Sequence, residues 1–144
     1  MDKIRVMMVR EGRTSALRRE ITSPGEAFQY IKQAIKPVGL DRECFWRIDL
    51  DSRNGVLGWE LVSMGTLNAS LVHPREVFTG ALLNKAAGII IAHNHPSGET
   101  NPSPEDKDTT RRLCKAGEIL GVALQDHLVI GNGKYFSFKE TGLL

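Results

Sequence analysis

His93-Asn94-His95-Pro96, followed by Ser103 and three residues later by Asp106, brings two imidazoles, a hydroxyl and a carboxylate close together in the chain. In an extended segment alternate side chains share a face, so His93 and His95 project to one side and Asn94 to the other. Pro96 reinforces this, because the residue before a proline is pushed out of the helical region. Two neutral imidazoles and one carboxylate are a ligand set that suits zinc, and three protein ligands leave the fourth tetrahedral position to water. An open position implies chemistry rather than scaffolding.

Ser103-Pro104-Glu105-Asp106 is also a good helix start, with Ser103 as N-cap, Pro104 as first helical residue and Asp106 as the third-position acid of a capping box. The two readings are compatible, since a capped first turn would hold the Asp106 carboxylate in place at a positive helix end. Alone, either His-x-His or Ser-x-x-Asp is a common accident; together they are a specific pattern. Of the other two histidines, His73 reads as a helix-start residue before Pro74, and His127 as a satisfied structural histidine within a strand. Asn94 should order the loop. Arg75 fits a substrate carboxylate and a helix-surface salt bridge equally well.

A chain of 144 residues reads as one domain, large enough to form a core without a metal or disulfide staple. With 41% hydrophobic and 25% charged residues it is neither disordered nor fibrous. The longest apolar run, Ala86 to Ala92, is too short to span a bilayer, and the N-terminus lacks a signal-peptide pattern, so a cytoplasmic location and no membrane partner are expected. Cys44 and Cys114 share no C-x-x-C spacing and should be free, buried thiols. A formal charge of +2 does not argue for nucleic acid. Lys3, Arg5, Arg10, Arg13, Arg18 and Arg19 concentrate positive charge near the N-terminus, where a solvated hairpin face is the first reading and nucleic-acid contact the lesser one.

The elements that must position the candidate residues follow from periodicity. Ile4 to Val9 and Ala16 to Ile21 read as a hairpin around Glu11-Gly12-Arg13, a β-hairpin extension over residues 1–21 within the same domain. Ser23-Pro24-Gly25-Glu26 starts a helix whose apolar face carries Ala27, Phe28, Ile31, Ala34 and Ile35 as far as Pro37. Cys44 to Leu50 and Val56 to Val62 should pair antiparallel through Asn54-Gly55. A second helix begins at Pro74, with Val77, Phe78, Ala81 and Leu82 as its stripe. Gly88 to Ala92 is continuously apolar, as a central strand covered on both faces would be, and the two histidines leave its carboxyl end. The capped helix from Pro104, with Leu113, Ala116, Ile119 and Leu120 buried and Gly121 as its stop, leads to a last hairpin, Val122 to Ile130 and Lys134 to Phe138. The sum is an α/β (α+β) fold in which about three helices pack against a mixed, largely antiparallel sheet.

These residues carry a family resemblance. Ser63-Met64-Gly65-Thr66-Leu67-Asn68, His73-Pro74-Arg75-Glu76-Val77-Phe78, Ala87 to Gly98 with its HNHPSG, Pro102-Ser103 with Asp106, and Asp126-His127 make residues 40–144 similar to the JAB/MPN-type, JAMM-motif metal-dependent domain of the bacterial RadC proteins. The resemblance implies a JAB/MPN-like, cytidine deaminase-like fold and a metalloprotease-type domain over residues 22–144. Related JAB/MPN enzymes are zinc peptidases or isopeptidases, so it also implies one zinc ion held by His93, His95 and Asp106, with Ser103 beside the reacting carbonyl. Their motif includes an upstream glutamate serving as general base. Motif order matches it to Glu43, at the start of the first core strand, with Glu60 as the main competitor and Glu76 behind it. Fuller family members carry an N-terminal helix-hairpin-helix DNA-binding region that is not among these residues, which weakens an inherited link to DNA repair.

The expectation is therefore a zinc-dependent hydrolase acting on a peptide or protein substrate through a metal-activated water. The competing class is a non-catalytic module that binds protein or DNA. A metal nuclease ranks lower, because phosphodiester sites usually employ carboxylate-bound magnesium or paired metals. A zinc deaminase would need His-x-Glu and Pro-Cys-x-x-Cys, which do not occur. Ser103 as a covalent nucleophile is disfavoured, since metal binding leaves neither nearby histidine free to activate it.

Overall fold

The computed structural model describes residues 1–12, 19–37, 41–65 and 72–144. In chain order the elements are α1 (Pro24–Tyr30) with a π-helical turn over Ile31–Ile35, β1 (Glu43–Leu50), β2 (Val56–Gly65), α2 (Pro74–Leu83), β3 (Gly88–Asn94), α3 (Pro104–Leu120), β4 (Ala123–Gly131) and β5 (Lys134–Ser137). The strands form one sheet in the order β2-β1-β3-β4-β5. All neighbours are antiparallel except β3 and β4. This is the mixed sheet with three helices that periodicity and the family resemblance both imply.

β3 is buried along its whole length because the sheet is covered on both sides. Ile90 and Ala92 join Trp46, Ile48 and Leu128 in a core beneath α1, where Phe28 and Ile31 supply the helix side. Ile89 and Ile91 face the other way, against Val77, Phe78 and Ala81 of α2 and Leu113 of α3. His93 continues this second row by strand parity, so it points toward the α2–α3 side. A slip by one residue would exchange the two faces and put His93 in the apolar core beneath α1 and Asn94 on the α3 side, so the polar end of the strand opposes it.

β4 changes sides partway along. Ile89 is opposite Leu124 but Ile90 is opposite Asp126, so Gln125 is an extra residue in the parallel ladder. Leu124 belongs to the α2–α3 core, whereas Leu128 and Ile130 belong to the α1 core. Without the extra residue all three would share one face. Its effect is to turn His127 toward α3.

On the α2 side a buried ion pair ties helix to sheet. Arg47 contacts both Asp49 oxygens, at 2.5 and 3.1 Å, and also donates to Glu60 and to the Val77 main-chain carbonyl, each at 2.9 Å. Asn84, just past α2, donates to Asp49 at 2.8 Å. Such a group is satisfied as a set, and removing one partner would leave a buried charge.

Several expectations change. Residues 1–12 contain no strand, and Ile4, Val6, Met7 and Val9 are exposed. The expected strand over Ile4 to Val9 is thus absent: alternation alone cannot create a strand without a partner edge. Residues 13–18, with the turn's Arg13 and the start of the returning segment, lie outside the described residues, as do Thr66, Leu67 and Asn68. What remains of the returning segment is a single bridge, Glu20 opposite Gly55. Ile119 and Leu120 are exposed rather than buried, and so is Leu82. Ile119 sits about 240° round the helix from Leu113, so it could not share that stripe. The inner face of α3 is Thr110, Leu113 and Gly117. Cys44 is buried and Cys114 half-buried, and both are free thiols. No helix among the described residues is long and apolar enough to cross a membrane.

Gly117 shows how closely α3 lies on the chain entering β4. A Cβ there would come within 3.0 Å of the Val122 carbonyl oxygen. Gly117→Ala should therefore destabilise by about 1–3 kcal/mol despite the helix propensity that alanine adds. Urea unfolding checks the sign: a stabilised variant would mean the helix has room to shift.

Candidate metal centre

The local sequence explains why four side chains meet. β3 carries His93 to the end of the sheet, and His95 follows one residue beyond the strand, on the same side. A turn closed by Gly98 N–H on the His95 carbonyl, 2.9 Å, sends the chain back toward α3. Gly98 adopts φ +83° and packs against Gly131 of β4, where a side chain on either residue would strike the other loop. The capping box expected at Ser103 is present. Ser103 Oγ accepts the Asp106 N–H at 3.0 Å, and Asp106 Oδ2 accepts the Ser103 N–H at 2.9 Å.

Asp106 Oδ1 lies 3.1 Å from His93 Nε2, and Asp106 Oδ2 lies 2.9 Å from His95 Nε2. The two Nε2 atoms are 3.1 Å apart. Glu43 Oε1 stands further off, 3.9 Å from His93 Nε2. One ligand atom from each of these four residues can be chosen so that all lie within 4.8 Å of one another, an arrangement that could hold a metal ion. Ligand bonds of about 2.0–2.1 Å around a tetrahedral zinc place neighbouring donors about 3.3 Å apart. The three closer donors come within a few tenths of an ångström of that spacing, so the residues fit the ion.

Of the candidate glutamates, the structure brings in Glu43 alone. Glu60 is exposed on β2 and paired with Arg47. Glu76 is an exposed first-turn acid of α2. His73 is the N-cap residue of α2 and accepts the Glu76 and Val77 N–H groups through its main chain. Arg75 is exposed on the same turn. Asn94 points away from the cluster, as parity requires, but its role is more specific than loop order. Its side chain accepts the Cys44 N–H at 2.7 Å and donates to the Arg42 carbonyl at 2.9 Å, gripping the main chain on both sides of Glu43.

Two further residues join the cluster: His127, which the sequence marks as a structural histidine, and Thr110, which it does not single out. His127 is fully buried, and its Nε2 lies 2.7 Å from His93 Nδ1. Its Nδ1 lies 2.6 Å from Thr110 Oγ1, which donates to the Asp106 carbonyl at 2.9 Å. His127 is thus structurally satisfied, as expected, but through a candidate ligand. Thr110 follows Asp106 by four residues on a helix, and that spacing was a usable signal.

Electrostatics follow the geometry. Burial would raise the Asp106 pKa, but hydrogen bonds to His93 and His95 outweigh it and hold the carboxyl well below the usual carboxylate range. The same bond to Asp106 raises the His95 pKa against the effect of burial. Burial raises Glu43, with His93 opposing and Asp106 adding to the shift. Burial, then the neighbouring His93, pushes His127 well below its ordinary value, so it is neutral.

A histidine pair and an aspartate at the end of a central strand in a mixed α/β sheet define a candidate metal-binding domain, and comparison with known proteins gives its family. Residues 21–143 match the RadC-like JAB domain model, and the chain belongs to that family. A UPF0758 protein of Desulforudis audaxviator is 46% identical, covering 88% of this chain and 58% of the relative. Others, from Moorella thermoacetica and Symbiobacterium thermophilum, are 55% and 49% identical over 73% and 89% of this chain, and over 46% and 54% of their own lengths. The chain thus spans about half the length of the curated relatives it matches.

In metal-free protein the His95–Asp106 pair should show in pH-dependent stability. His95, with its folded pKa raised, contributes stability that is fully present below about pH 6.5 and lost as pH rises through the folded value. Asp106, with its folded pKa depressed, contributes above about pH 3.9 and loses that contribution as pH falls through the folded value. Both act between about pH 4 and 6.5. Urea unfolding of chelator-treated protein should show Asp106→Asn losing more stability at pH 5 than at pH 9; an equal loss at both contradicts the pairing.

Proposed function

We propose that this domain is a zinc-dependent hydrolase of the JAMM metallopeptidase type, cleaving a peptide or isopeptide bond in a protein or peptide substrate. The observation that carries this reading is the unequal spacing of the four groups: three donors close together and Glu43 set back. A fourth ligand as close as the others would favour a closed, structural ion. His93, His95 and Asp106 would hold the ion. Zinc so held supplies a water acidified to a pKa of about 7 and a positive charge beside the scissile carbonyl.

The chain's own residues divide the remaining work. Glu43, half-buried with its carboxyl pushed up by burial, is suited to taking a proton and returning it to the leaving amine. Asn94 keeps the Glu43 main chain in register with the end of β3. Ser103 Oγ accepts the Asp106 N–H, which leaves the hydroxyl proton free to donate to a developing oxyanion. That reading is consistent with the resemblance of the HNHPSG, Ser103 and Asp106 pattern to JAB/MPN peptidases. A non-catalytic module would have no use for a set-back acid.

Two experiments test the assignment with a fluorogenic peptide or isopeptide panel. Glu43→Gln should keep bound zinc and lose about 10²–10⁴-fold in turnover. Equal turnover in both proteins would remove Glu43 from the reaction. Ser103→Ala and Ser103→Gly separate capping from catalysis: alanine at the cap costs about 1 kcal/mol and glycine only a few tenths. Both should lower kcat by about 10²–10³-fold. If the loss tracks stability instead, with glycine nearly unaffected, Ser103 is only a cap.

A further inference from the structure

We propose that Thr110 and His127 form a one-way hydrogen-bond relay, anchored on the Asp106 main-chain carbonyl, that fixes the His93 ring with its Nε2 turned into the cluster. Both are positioning residues, since neither reaches the site where a substrate would sit. The inference rests on the metal-binding reading above and deepens it.

The polarity follows from what each atom can do. A carbonyl oxygen only accepts, so the single hydroxyl proton of Thr110 is used on Asp106 O, 2.9 Å away. Thr110 Oγ1 must then accept at its 2.6 Å contact with His127, and His127 Nδ1 carries the proton. Both His127 nitrogens are taken by Thr110 and His93, and the rings of Phe45 and Phe138 flank it at 6.1 and 4.6 Å. A second proton would be a buried, unpaired charge in that setting, so Nε2 is an acceptor. His93 Nδ1 therefore donates across the 2.7 Å contact, and its Nε2 is left facing the cluster, where it donates to Asp106 in metal-free protein and would offer its lone pair to a metal ion.

The neighbouring histidine reaches the same state by a shorter route. His95 Nδ1 lies 2.9 Å from the Glu99 carbonyl, which again only accepts, so His95 Nε2 is likewise the nitrogen turned to the cluster, donating to Asp106 in metal-free protein and open to a metal ion in its place. Both rings are thus oriented from main-chain carbonyls: His95 directly, and His93 through two side chains. The His93 route ends on Asp106 itself, so two candidate ligands on different elements are braced against each other. The Gln125 bulge makes this possible by turning His127 to the α3 side.

The test has a readout independent of activity. Nitrogen-15 NMR of the imidazoles in metal-free protein should report His127 as the Nδ1–H tautomer; an Nε2–H tautomer overturns the relay. Thr110→Val removes the anchor while keeping the side chain's shape. It should weaken zinc binding by about 10–100-fold in competition with a chromophoric chelator, and Thr110→Ser should restore most of that loss. Unchanged affinity in a folded Thr110→Val protein also overturns the proposal. If the parent protein binds no zinc, the functional reading fails, whereas the His127 tautomer still decides the relay; the tautomer likewise decides it should Thr110→Val not fold.

Discussion

Asp106 Oδ2 accepts the Ser103 N–H that closes the first turn of α3, and the same oxygen faces His95 Nε2. Its partner oxygen faces His93 Nε2. A local helix-capping interaction is therefore what sets the carboxylate between two imidazoles delivered by β3. The capping box turns a flexible aspartate into a group whose position depends on the first turn of a helix, and the helix is held by Leu113 and Gly117 against the sheet. Two consecutive elements, β3 and α3, meet at one carboxylate, and the rest of the site is arranged around that meeting.

The sheet explains why the meeting occurs there. β3 is covered on both faces by two different cores, so a one-residue slip would exchange their rows and turn His93 away from α3 into the α1 core, without its polar partners. β1, its antiparallel neighbour, starts at the level where β3 ends, and this puts Glu43 next to the two histidines. Asn94, facing the opposite side, fastens the start of β1 with two hydrogen bonds. The arrangement uses both faces of one short segment: alternate residues collect the candidate ligands and the residue between them places the candidate base. The buried Arg47–Asp49 pair serves the neighbouring stretch of β1 and keeps α2 in place while occupying Glu60.

Much of this was legible in the order of residues because it depends on short-range rules. His-x-His before proline, the Ser103 capping box and the continuous apolar run of β3 are each specified by neighbours within a few positions. Glu43 could be favoured over Glu60 only by motif order, and the pairing of strands adds the physical reason: Glu60 lies opposite Arg47 and is held there. The extra residue at Gln125 has no local signal, so the side to which His127 turns could not be read from alternation. Ile119 lies off the Leu113 face by its angle on the helix, and the alternation over Ile4 to Val9 carries no information about a partner strand. Long-range pairing decided the side to which His127 turns, whereas the exposure of Ile119 follows from local helical geometry.

The most direct test is anomalous diffraction at the zinc edge from crystals grown without chelator and soaked in zinc. The account predicts one peak about 2.0–2.1 Å from Nε2 of both His93 and His95 and about 2.0–2.2 Å from an Asp106 oxygen, with Glu43 beyond bonding distance. No peak among these groups, with the side chains splayed apart, would contradict it.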